Sequence, residues 1–327
     1  SNSNHGPYTP DSSIGGVPVD GAARTVSGDP MDVRHNYIYE NDVALGRLID
    51  WLHNNEDPRN PGKTLFETTI LIFTSDNGAE KNSDIASGPF RSHKGSVYEG
   101  GHRVPFIVSW PGGGINPSTN ASPIGLQDLY ATFADIIGAK LPNLLAGEKG
   151  AEDSYSISSA FQGETLPSRT PLFFNDHKEA EDDPAVAAIR VDAPSVNGRV
   201  VPGQWKLFFD AQLIRAGIGN PYELYNLAVD PRERENLIND TGLQPLVEFL
   251  TREALLHRNS GGHRYAEFVE EGPIVFDWRG GDVSEKETVN GLTLSIRSEG
   301  EEAKFTSNDS GLGLAGNGSG AVNAGEA

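Results

Sequence analysis

Thr68-Thr69-Ile70-Leu71-Ile72-Phe73-Thr74 runs directly into Ser75-Asp76-Asn77-Gly78. The first seven residues are a continuous β-branched and aromatic run, the pattern of a strand buried on both faces. The next four are polar and turn-forming, and they sit at the carboxyl end of that strand. In open α/β sheets ligands bind at this edge. An α/β fold with a ligand site beginning at residue 75 is therefore the expectation from this stretch.

The surroundings fit that expectation. Upstream, Tyr37, Ile38, Val43, Leu45, Leu48, Ile49 and Leu52 recur at helical spacing behind Asp32, a residue suited to an N-cap, and the pattern predicts a helix over 32–53. Residues 54–63 hold two Pro, one Gly and three Asn and read as a loop. Downstream, Val104 to Trp110 reads as a second buried strand and 124–137 as an amphipathic helix ended by Gly138. From about residue 165 the texture changes to short strands at 171–174, 187–191, 205–209 and 222–225, the mark of a small antiparallel subdomain, followed by a helix near 242–258. Strands are also expected at 274–276 and 291–296, and with Gly311-Leu-Gly-Leu they read as the opening of an appended β module, although the composition of the run from 311 to 327 is by itself that of a linker. The domain expectation is 1–165, 166–272 and 273–327.

Composition narrows the partners. The 327 residues carry 26 basic and 46 acidic side chains, a net charge of −20, which argues against a general affinity for nucleic acid or anionic membranes. No apolar run approaches the roughly 18 residues of a membrane span. With no Cys, disulfides, thiolate metal sites and a Cys nucleophile are excluded within the chain. Neither end looks like a natural terminus, and the expectation is a piece of a longer protein.

Two groups of residues can carry chemistry. Asp76 and Asn77 offer a carboxylate and an amide oxygen side by side, donors that suit a hard cation such as Ca²⁺, although Asp-Asn-Gly is equally good turn chemistry. Arg91-Ser-His-Lys94-Gly-Ser-Val-Tyr98-Glu99-Gly100-Gly101-His-Arg103 places Lys, two His and two Arg between the two strands. The compact charge of Lys94 suits a tetrahedral oxyanion, and a solvated basic loop is the plainer alternative. His5 stands before Gly6-Pro7, where a turn can hold its imidazole.

In combination these motifs resemble the second half of a sulfatase of the arylsulfatase type, within the alkaline-phosphatase-like superfamily. The resemblance covers roughly residues 1–270. It rests on Asp42-Val-Ala-Leu-Gly46, Thr74-Ser-Asp76-Asn77-Gly78, Lys94 to Phe106, Trp110-Pro-Gly112, and Glu223-Leu-Tyr-Asn-Leu227 followed by Asp230-Pro231 and Asn236-Leu237. It implies a partial alkaline-phosphatase-like sheet flanked by helices. It implies that Asp76 and Asn77 are calcium ligands, that Lys94 contacts the substrate sulfate, and that His5 hydrogen-bonds the ester and assists leaving-group protonation. It further implies a sulfated small molecule or glycan as substrate, a periplasmic or extracellular location, and a formylglycine nucleophile from a C/S-x-P-x-R motif. That motif is expected upstream of Ser1, so the chain alone is expected to be inactive and prone to aggregate. Ser87-Gly-Pro89-Phe-Arg91 fits the motif but lies between the Asp-Asn and Lys landmarks, the wrong context for a nucleophile. A phosphate or phosphonate ester hydrolase would call on His35, His93, His102 and His177, which show no paired-ligand spacing. A non-catalytic anion-binding protein is the third reading.

Overall fold

Asp32 opens the longest helix, Val33–Asn54, its carboxylate accepting the backbone N–H of His35 at 2.9 Å. This is the N-cap expected from the sequence. The computed structural model describes residues 5–80, 86–115, 117–164, 166, 171–176 and 186–260. It also describes the backbone of strands within 286–289, 292–297, 304–308, 311–315 and 321–324. The described residues form two units, Ser1–Thr74 with Pro105–Ser118, and Ser75–Val104 with Thr119–Ala327.

In the first unit a one-turn helix, Leu65–Thr68, stands where the sequence reading began the strand. It is held by a reciprocal capping box between Thr64 and Glu67. The strand proper is Leu71–Thr74, paired antiparallel with Phe106–Ser109 so that Phe73 lies opposite Ile107. That pair corrects the expectation of strands buried on both faces: Phe73 is 48% and Ile107 59% exposed. An apolar run cannot report whether both faces have cover, because cover comes from segments distant in sequence. The long helix makes the same point. Leu52 is buried, but Ile38 and Leu48 of its apolar set are exposed. Asp57, whose side chain is fully shielded, ties down the intervening loop by accepting from the backbone N–H and Nε of Arg59, the side-chain amide of Asn60 and the hydroxyl of Thr68. Those bonds hold its carboxyl far below the usual range, Asn60 contributing most.

The second unit contains the helix Asp128–Ile136, ended by Gly138 at φ 68°, where an L side chain is disfavoured. Its main feature is the expected antiparallel sheet, four strands in the spatial order Pro221–Asn226, Gln204–Asp210, Val186–Asp192, Leu172–Asn175. Trp205, Leu207 and Phe209 face one side with Ile189 and Leu224. There the helix Gln244–Ser260 packs Leu246, Val247, Leu250 and Ala254 at helical spacing. Phe208, Ala188, Tyr225 and Leu227 face the other side, where Val97 and Tyr98 pack. The period-2 alternation puts Lys206 on this second side with Phe208, inside the protein. In the tail, the 291–296 strand is present as Leu292–Arg297, between Lys286–Val289 and Ala321–Ala324. Gly311–Ala315 forms a hairpin with Lys304–Asn308, so the linker-like composition there still gives strands. The expected strand at 274–276 lies outside the described residues.

Candidate functional site

The Ser75–Gly78 turn and the 91–103 segment are locked together by glycines. The backbone N–H of Gly78 donates to the carbonyl of Gly101, and that of Lys94 to the carbonyl of Ala79, both at 2.8 Å. A Cβ on Gly78 would stand 1.9 Å from the Gly100 carbonyl oxygen, and one on Gly101 equally close to that of Ser96. A Cβ on Gly100 would stand 2.3 Å from the carbonyl oxygen of Ser92. These glycines permit close backbone approach that no other residue allows. The result brings the Asp76–Asn77 pair and Lys94 onto one interlocked backbone assembly. Within the turn, the Ser75 hydroxyl donates to the carbonyl of Asn77 at 2.9 Å, Asp76 is exposed and Asn77 is half-buried. His5, in the other unit, is exposed, and its Nδ1 donates to the Gly6 carbonyl at 2.7 Å.

Asp76 and Asn77 supply two oxygen donors of the kind a hard divalent cation takes. That is short of the six to eight oxygens of a complete calcium shell. Among the described residues no group of three or more His, Asp or Glu side chains forms a metal cluster. The donor chemistry therefore fits calcium as part of a shell.

What holds the Lys94 segment is a buried ionic cluster. The Lys206 ammonium is fully buried and has three protons and three acceptors: Glu99 Oε1 at 2.9 Å, Glu233 Oε1 at 3.0 Å and His102 Nε2 at 3.0 Å. The second oxygen of Glu233 accepts the backbone N–H of Glu99 at 2.7 Å, at the start of the one-turn helix Glu99–His102. Arg103 adds a contact to Glu99 Oε2 at 3.3 Å. Burial pushes the His102 imidazole down to about 3, helped by the Lys206 charge, so the ring is neutral. Toward the ammonium Nε2 can only offer its lone pair, whereas the Val97 carbonyl, 3.1 Å from the same nitrogen, can only accept. Burial favours protonation of Glu99, but the charge and hydrogen bond of Lys206, with His102 and Arg190 adding to them, together hold the carboxyl below its ordinary value. For Glu233 burial prevails and moves it upward, against the pull of Lys206.

The Glu223-Leu-Tyr-Asn-Leu227 signature supplies the rest of the frame. Glu223 Oε2 accepts the hydroxyls of Tyr98 at 2.8 Å and Tyr225 at 3.0 Å. Burial, then the Glu223 charge, raises both phenols, that of Tyr225 to about 12. Asn236 accepts the Leu224 amide, and Asp230 Oδ2 accepts the amides of Arg234 and Glu235, which shapes the turn that sends Glu233 inward at φ 53°. The Arg91 guanidinium lies 3.7 Å over the Tyr98 ring and donates to the Tyr225 hydroxyl and the Glu233 carbonyl. The arginine of the Ser87–Arg91 look-alike motif is thus occupied with the signature strand.

Sequence reasoning identified the Lys94 segment but not Lys206 or Glu233. The available signal was a lysine inside the apolar strand Trp-Lys-Leu-Phe-Phe, since a buried lysine requires a partner. Two of the histidines weighed as phosphoesterase ligands are otherwise engaged. His102 serves Lys206, and His35 contacts its own N-cap Asp32. His177 lies outside the described residues.

The fold is that of an α/β protein of the alkaline-phosphatase-like class. The crystal structure of Ps i-CgsB in complex with k-i-k-neocarrahexaose superposes with a TM-score of 0.52 at 24% identity, covering 70% of this chain and 43% of that one, a likeness of fold. Residues 1–139 match the sulfatase family model. It is 32% identical over 212 residues to a sulfatase of Formosa agariphila, covering 63% of this chain and 35% of that protein. It is 37% identical over 140 residues to human arylsulfatase A, covering 42% and 25%. An N-acetylgalactosamine-6-O-sulfatase of Bacteroides thetaiotaomicron is 27% identical over 227 residues, covering 63% and 38%. The chain thus spans between a quarter and two fifths of the length of these relatives. No helix among the described residues is long and apolar enough to cross a membrane.

Proposed function

We propose that this chain contributes the cation-binding turn and the sulfate-contacting lysine of a sulfuric-ester hydrolase acting on a sulfated glycan or small molecule. The observation that carries the reading is the glycine-locked backbone shared by Asp76, Asn77 and Lys94. Asp76 and Asn77 are two of the oxygen ligands of one Ca²⁺, which would withdraw charge from a sulfuryl oxygen when bound. Lys94 holds the sulfate and stabilises the charge that develops on the leaving oxygen as the S–O bond breaks. His5 hydrogen-bonds the ester oxygen and delivers the proton that the leaving alcohol needs. The formylglycine nucleophile used by the family has no Cys to derive from in this sequence, and Arg91 of the Ser87–Arg91 look-alike is engaged with Tyr98, Tyr225 and Glu233, so the chain alone does not turn over. The protein works in the periplasm or outside the cell. The engagement of His102 and His35 elsewhere disfavours a phosphoester reading based on those residues.

Hydrolysis of 4-nitrophenyl sulfate tests the reading, comparing the chain alone with the chain joined to the coding sequence preceding it in its genome. Calcium-dependent hydrolysis by the joined protein only is the expected result. Hydrolysis by the bare chain overturns the assignment of the nucleophile.

A further inference from the structure

A second group of cationic side chains in the same unit lines a cavity whose lining does not include Lys94. A cavity of about 460 Å³ is lined by Pro89, Phe90, Arg91, Arg232, Glu233 and Arg234. That volume falls within the roughly 300–1,000 Å³ of small-ligand sites. The acidic member of the lining, Glu233, is 1% exposed and turns its carboxylate inward to Lys206 and the Glu99 amide. The cavity is therefore lined by three arginines, of which Arg91 also lies 3.9 Å from Glu223 Oε2, in a chain whose net charge is −20.

Each arginine is placed by something other than a ligand. Arg91 is fixed by its stacking on Tyr98 and its bonds to Tyr225 and the Glu233 carbonyl. Arg232 and Arg234 flank the inward-turned Glu233, and Asp230 pins the backbone of Arg234 at 2.7 Å. Both are exposed, and among the described residues neither guanidinium has an ion pair or hydrogen-bond partner. A planar guanidinium fork matches the oxygens of a tetrahedral oxyanion, and several converging on one cavity suit a group of charge −1 or −2.

We propose that this cavity binds a sulfate group carried by a glycan, at a position distinct from the sulfate held by Lys94. The glycan assignment rests on the reading under Proposed function, and the oxyanion assignment does not. The site makes multiply sulfated glycans the preferred substrate class, with Arg232 and Arg234 as specificity-determining residues.

Equilibrium dialysis of radiolabelled inorganic sulfate against the joined protein, at ionic strength balanced with chloride, tests the oxyanion site without requiring catalysis. The same dialysis with monosulfated and disulfated disaccharides tests its source. Arg232→Ser and Arg234→Ser remove no contact that the fold uses, so both variants should fold as the parent does, with unchanged circular dichroism. The expected result is saturable sulfate binding that weakens about tenfold in Arg234→Ser and persists in Lys94→Met. The disulfated disaccharide should bind about tenfold tighter than the monosulfated one, a preference that collapses in Arg234→Ser. Sulfate uptake no greater than chloride exchange, or binding lost in Lys94→Met but kept in Arg234→Ser, overturns the site. Binding of inorganic sulfate with no gain from a second sulfate on the glycan overturns the glycan assignment in favour of free sulfate. Sulfate retained in the cavity while the joined protein fails to hydrolyse sulfate esters overturns the proposed function and leaves the oxyanion site standing.

Discussion

Removing the charge of Lys206 should destabilise the sheet unit more than any other single change on the Lys94 side of that sheet. In Lys206→Met the apolar stem is kept and the ammonium is lost. Glu233 then retains only the Glu99 amide at 2.7 Å, and Glu99 retains Arg103 at 3.3 Å. Breaking a buried ion pair from one side costs about 3–5 kcal/mol, because an uncompensated charge stays behind. That is a large part of the roughly 5–15 kcal/mol that holds a typical domain folded. Urea unfolding followed by far-ultraviolet circular dichroism reads the loss directly. The combined variant Lys206→Met, Glu99→Gln, Glu233→Gln should recover part of it, since no buried charge is left unpaired. The His102 ring offers an independent signal by proton NMR. Without the repulsion of Lys206 its titration should move upward from about 3. A loss of less than about 1 kcal/mol in Lys206→Met, with no movement of His102, would refute the claim that this ammonium is desolvated and held by three acceptors.

The remaining expectations concern pH, the glycine lock and the open strand pair. His102 protonates near 6.5 in an unfolded chain but only near 3 when folded. Between those values the unfolded state holds more protons, and stability falls with falling pH by up to about 1.4 kcal/mol per unit. His102→Gln should flatten that slope in acid-unfolding curves. Gly100→Ala forces a Cβ to within 2.3 Å of the Ser92 carbonyl, so the backbone must shift. Sulfate-ester turnover by the joined protein should drop by about 100-fold, as for a displacement near 1 Å at a reacting centre, while far-ultraviolet circular dichroism stays unchanged. Phe73 and Ile107 present an exposed apolar pair, and size-exclusion chromatography should show the Phe73→Thr, Ile107→Thr chain shifting from aggregate toward monomer.

Much of this architecture was legible in the sequence because its determinants are local. The Asp32 cap, the four short strands and the closing helix each follow from residue type and spacing within one segment. The capping box Thr64-Leu-Phe-Glu67 was equally local, and its S/T-x-x-E pattern marks the helix that the continuous apolar run concealed. What was not legible depends on partners far along the chain. Lys206 meets Glu99 across 107 residues, and Tyr98 meets Glu223 across 125. The family signature Glu223-Leu-Tyr-Asn-Leu227 pointed to the right segment, and only the fold explains it: its glutamate and tyrosine hold the loop that bears Lys94. The uncovered face of Phe73 and Ile107 was likewise beyond the reach of a pattern that records hydrophobicity without recording cover.

The most direct test of the central claim is sulfate release from 4-nitrophenyl sulfate by the joined protein, with calcium present and with calcium chelated, in the parent and in Asp76→Ala and Lys94→Ala. The account predicts turnover that requires calcium and that falls by about 100-fold or more in each variant, while the fold is retained. Turnover indifferent to chelation, or undiminished in both variants, would contradict it.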